Sequence, residues 1–160
     1  MQEQAEKETL KEEMGRIVEE ARMVLPGIQA LFGFQAIAVF NERFKDLPMY
    51  VQDCHVAALG FVVIAIALIM MPAAYHRLAE PGCVSRHAIK VSSRSICYAL
   101  APLAAALSLD IFVVVHAVTD AMAVSAMSGS AAFILLIALW FAYPLYSRHR
   151  QGRGATDAGA

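Results

Sequence analysis

The chain has 160 residues, is 59% hydrophobic, and carries a net charge of −1 at pH 7. Soluble domains run about 45–50% apolar. The excess here, with a mean hydropathy of +0.54, argues against an ordinary water-soluble fold; the net charge is uninformative by itself, and the partner expected is the lipid bilayer rather than nucleic acid.

Residues 1–22 form a charged, helix-prone arm. Leu10, Met14, Ile17, Val18 and Ala21 recur on one helical face among Glu and Lys. The stripe covers only about two heptads, too few for a coiled coil. Its glutamates would be repelled by anionic lipid, so the arm is expected to dock on protein at the cytoplasmic end of the bundle.

Four apolar blocks follow, from Met23 to Phe40, Cys54 to Tyr75, Ile96 to Val118 and Val124 to Tyr146. A spanning helix needs roughly 20 apolar residues, and backbone in lipid must satisfy its own hydrogen bonds. The blocks predict helices over about 23–41, 54–75, 96–118 and 124–146. The fold class expected is all-α, a transmembrane four-helix bundle over residues 23–147 with the amphipathic arm in front. The Gly- and Ala-rich tail, 148–160, is expected to be disordered. No short basic segment precedes the first block, which therefore reads as an internal signal anchor.

Charge placement gives a topology. Eleven of the thirteen Lys and Arg residues precede block one, lie between blocks two and three, or follow block four; Arg43 and Lys45 lie on the other side. The positive-inside rule then puts both termini in the cytoplasm. Cys54, Cys83 and Cys97 follow no disulfide spacing and read as free thiols. Trp140, Tyr143 and Tyr146, with Tyr75 and Tyr98, read as an aromatic belt at the cytoplasmic interface. Of Pro26, Pro72, Pro102 and Pro144, only Pro102 sits far enough inside its block to predict a bend.

Block one with its exit, GIQALFGF followed by FNERF and Leu47, and MPAAYHRL at the end of block two, resemble a family of small multi-pass bacterial membrane proteins. That family is catalogued only as a domain of unknown function. The resemblance covers roughly the first half of the chain, through His76-Arg77-Leu78. It implies a bacterial inner-membrane protein with cytoplasmic termini, and it implies no activity. Position 35 holds a glutamine where the resemblance leads one to expect an apolar residue, which makes Gln29 the stronger candidate of the two.

The candidate site residues are the polar groups inside the membrane. Gln29 shares a face with Gly33 and is expected to turn inward and bond another helix near Asp110 or Ser108. Gln35 lies well round the helix from Gln29, a hint of two interfaces and of a homo-oligomer. Asp110, near the middle of the third block, has no Lys or Arg at its depth, and such a residue is a functional-site hypothesis by default. A neutral Asp110 bonded to a helix-one glutamine is the structural alternative. Under the predicted topology Asp53, His55, His116 and Asp120 gather at the outer face, as a proton-responsive cluster or, less well supported, a metal or haem site. The exit Asn41 to Asp46 is expected at the outer interface, with Glu42 and Asp46 sharing Arg43 and Lys45, and Phe40 and Phe44 dipping into lipid. No nucleophile elbow, glycine loop, HExxH or CxxC is present, so no catalytic residue, resident metal or cofactor is expected and the chain reads as a non-enzyme. Two functional classes remain: an oligomeric channel or transporter around Asp110 and Gln29, and a structural or regulatory membrane module.

Overall fold

The computed structural model describes residues 2–79 and 84–148. Cys83, the Pro81-Gly82 break and the tail from residue 149 lie outside the described residues. Helix α1 spans Gln2–Ala38, the short α2 Glu42–Lys45, α3 Met49–Leu78, α4 Arg86–Thr119 and α5 Met122–Ile137. A π-helical turn at Ala138–Ala142 carries α5 onward to Arg148. No strand occurs among the described residues. Four of these helices are long and apolar enough to cross a membrane.

The arm and the first span are one helix of 37 residues. Between Arg22 and Met23 the solvent preference of the side chains changes, but Glu, Ala, Arg, Met and Leu are all good helix formers, so the backbone has no cause to break. Pro26 therefore lies inside α1 rather than at a helix end. Pro72 and Pro102 are likewise inside α3 and α4. The expected loops also shorten. Helix α3 starts at Met49, directly after Pro48, a residue whose missing N–H suits a helix start. Helix α4 starts at Arg86 because Ser85 caps it, its hydroxyl accepting the Ala88 N–H at 3.0 Å. Asp120 ends α4 in the left-handed region, φ 50°, which an Asp tolerates better than most residues, and α5 turns back two residues later.

Helix α4 sits at the centre and touches α1, α3 and α5. Its contact with α3 is built from small residues. Ala65 on α3 and Ala99 and Ala106 on α4 are buried with Val62, Ile69, Leu103 and Ile28 of α1. Lipid supplies no hydrophobic drive between helices, so close approach through small residues supplies the packing instead. Ser95 adds a hydrogen bond from α4 to the Leu68 carbonyl of α3, 2.6 Å. On the other side of α4, Gly129 of α5 lies so close that an added Cβ would meet the Ser108 carbonyl oxygen at 3.0 Å and Phe112 Cβ at 3.1 Å. The arm packs on protein: Met14 is buried against Ala88 and Ile89 of α4, with Leu10, Ile17, Val18, Tyr75 and Val84 around them.

The bundle thus has two ends. The loop end carries the α1–α3 connection and the α4–α5 turn. The terminal end carries the arm, the last turn of α3, the first turn of α4 and the last turns of α5.

Candidate functional site

Two polar groups occupy the loop end. The first is centred on Asp110. The Gln35 amide nitrogen donates to Asp110 Oδ2 at 2.6 Å, joining α1 to α4. Gln35 is buried at 4% exposure, and its Oε1 has no hydrogen-bond partner. The ring of His55, also buried, donates from Nε2 to the Gln35 backbone carbonyl at 2.9 Å. That carbonyl lies in the last turn of α1, where the helix dipole presents its negative end. Phe44 of α2 meets the His55 ring edge-on, centroids 5.1 Å apart. Helices α1, α2, α3 and α4 each contribute one member to this group.

The second group surrounds His116. Ser125 Oγ donates to the Ala121 carbonyl at 2.8 Å, which uses its only proton. It therefore accepts from His116 Nδ1–H at 3.4 Å. That tautomer leaves His116 Nε2 as an acceptor for the Tyr50 hydroxyl, 3.2 Å away. Asp120 Oδ1 lies 3.7 Å from the same nitrogen and is 96% exposed, beyond direct hydrogen-bond reach. Phe112 stacks on the His116 ring with centroids 6.0 Å apart.

These geometries redistribute the residues expected from the sequence. Gln29 is exposed and does not turn into the bundle; Ile28 beside it fills the core contact instead. Gly33 has open space where a Cβ would go, so no neighbour approaches there within the chain. Gln35 takes the partner that Gln29 was expected to find. The outer-face cluster divides: His55 joins Gln35 and Asp110, His116 joins Tyr50 and Ser125, and Asp53 and Asp120 stay exposed. Among the described residues no three His, Cys, Asp or Glu side chains converge as a metal-holding group. The two histidines bond to different partners. Phe44 packs on His55, and Glu42 and Asp46 form no ion pair among the described residues. Tyr50, Phe44 and Ser125 were not anticipated. Phe44 and Tyr50 sit beside Pro48 in a segment that reads as loop, and only the turn that folds it back reveals them.

A family model, described as a family of unknown function and designated DUF6328, matches residues 3–144. The chain belongs to DUF6328. The match covers most of the chain, well beyond the first half on which the resemblance was read, so helices α4 and α5 are part of what defines the DUF6328 unit. No curated protein and no solved structure matches the chain. DUF6328 membership brings no activity with it. Four membrane-capable helices make this DUF6328 chain a membrane protein of unknown function.

Proposed function

We propose that this protein is a multi-pass component of a bacterial inner membrane, with both termini cytoplasmic, working as a small channel- or transporter-like module whose handled species is the proton. It is not an enzyme in this reading. The observation that carries the proposal is the Gln35–Asp110 hydrogen bond beside the buried ring of His55. A carboxyl group at membrane depth is costly unless it is protonated, paired or wetted, and acid–histidine groups there mark proton paths. Gln35 links the two groups, its amide donating to Asp110 and its backbone carbonyl accepting from His55. Proton flux in proteoliposomes, followed with a pH-sensitive dye, tests this directly. The wild type should dissipate a pH gradient, and Asp110→Asn should slow that at least about tenfold. Equal rates for the two proteins would reject transport.

The same hydrogen bond supports a second reading, a structural or regulatory module in which Asp110 only fastens α1 to α4. Asparagine keeps that fastening, because its side-chain oxygen still accepts the Gln35 N–H. An Asp110→Asn protein that is stable and active in the cell would favour this reading.

Topology and assembly have their own tests. Cysteines placed at Asp46 and Arg148 in a cysteine-free background should label from opposite sides of the membrane; labelling from one side would overturn the assigned topology. Gln29 supports a homo-oligomer. An amide facing hydrocarbon costs about 2 kcal/mol or more without a partner, and a glutamine is its own complement across a two-fold axis. Gln29→Cys should give disulfide-linked dimers, whereas a cysteine at the exposed Ile64 of α3 should not.

A further inference from the structure

At the terminal end a groove of about 570 Å³ runs between the arm of α1, the end of α3 and the residue at position 84. Lys11, Gly15, Val18 and Arg22 follow one another along one face of α1, and His76 closes the opposite wall. Buried Met14 and half-buried Val84 give the groove an apolar floor.

Charge and depth agree on what such a groove takes. Lys11 and Arg22 face one lining carboxylate, Glu19, and neither cation forms an ion pair among the described residues. The arm's other glutamates here, Glu12, Glu13 and Glu20, do not line the groove. Arg22 directly precedes the apolar stretch of α1, and His76 directly follows that of α3. Their meeting point in one groove is therefore the level at which two spans leave hydrocarbon, where the headgroup layer of a bilayer begins.

We propose that this groove binds the phosphate of an anionic phospholipid headgroup. Arg22 and His76 hold the phosphate, and Lys11, about 16 Å farther from the hydrocarbon along α1, adds positive charge at the outer mouth of the groove. The exposed basic residues at this end, Arg77, Arg86, Lys90 and Arg94, draw anionic lipid toward the site. A soluble phosphate ester shares the charge chemistry but gains nothing from the depth of Arg22.

Native mass spectrometry of the full chain, released from detergent with equal amounts of phosphatidylglycerol and phosphatidylcholine, tests the site. The wild type should retain phosphatidylglycerol in preference. Arg22→Gln should weaken that retention about fivefold, Arg22→Lys should restore part of it, and Arg43→Gln, at the loop end and outside the groove, should leave it unchanged. Inorganic phosphate at millimolar concentration should not displace the lipid. Equal retention of the two lipids overturns the proposal. So does an unchanged preference in both Arg22→Gln and Lys11→Gln, with circular dichroism confirming that each variant is helical. Displacement by inorganic phosphate would overturn the lipid assignment and give the groove to a soluble anion. Should Arg22→Gln not fold, Lys11→Gln on the exposed arm carries the same comparison.

Discussion

At the loop end of the bundle, polar side chains from different helices meet one another. At the terminal end they stand around open space. Gln35, Asp110 and His55 are joined by short contacts between α1, α3 and α4, and His116 holds α3 and α5 to α4 through Tyr50 and Ser125. Lys11, Arg22 and His76 instead line a groove whose walls are held together by Met14, Ala88 and Ile89 beneath it. The difference is one of solvent. Polar groups away from water must find partners within the protein, whereas groups at the bilayer edge find them in water or headgroups. Polarity therefore fastens one end and leaves the other to recognise something.

The largest test of this contrast is steric. Gly129→Leu at the loop end puts a side chain where a Cβ alone would meet the Ser108 carbonyl at 3.0 Å. The α4–α5 contact should lose about 3 kcal/mol, read as a lowered unfolding midpoint in detergent. An unchanged midpoint would mean that α5 can move away freely. Next, Met14→Ala at the terminal end removes a buried side chain, 5% exposed, and should cost about 2 kcal/mol. Its signature is local: the arm should become protease-sensitive while the Gln35–Asp110 region is undisturbed. If both ends loosen together, the division between them fails.

Much of this was legible in the sequence, for identifiable reasons. Hydropathy fixed the four spans because the bilayer imposes a length that local packing cannot change. The arm's stripe, Leu10, Met14, Ile17 and Val18, was enough to place it against protein, since its glutamates are unsuited to an anionic surface. The ends of the helices were less legible. Arg86, Lys90 and Arg94 look like a loop by polarity, yet α4 continues through them with Ala88, Ile89, Ser92 and Ser95 on its buried face; the signal was Ser85, a capping residue type directly ahead of them. The two glutamines mark the real limit. Helical spacing showed that Gln29 and Gln35 point different ways, but not which way the neighbours lie. That depends on α4 being the central helix, a tertiary fact with no trace in α1.

Two smaller effects sharpen the picture. Ser85→Ala removes the cap of α4 at the terminal end and should cost about 1 kcal/mol, seen as faster amide exchange in the first turn of α4 with no change around His116. A double-mutant cycle between Gln35→Leu and Asp110→Leu should give a coupling of about 0.6 kcal/mol, and no more than about 1.7, the range for hydrogen bonds between membrane helices. A coupling near zero would mean that the bond between α1 and α4 contributes nothing to holding them, and the loop end would then rest on packing alone.

The π turn at Ala138–Ala142 has a consequence for where the last helix can point. In an unbroken α-helix the ring of Pro144 would press on the carbonyl of Trp140, four residues back. A turn with one residue more than usual lies just ahead of it, so the chain passes the proline without ending. The added residue also turns everything beyond it by about 100°. Trp140 packs against the core formed by α1, α3 and α4, while Tyr143 and Tyr146 face outward, 69% and 61% exposed. One helix can thus keep two orientations, with its apolar length set by the bundle and its aromatic tip set by whatever surface lies outside.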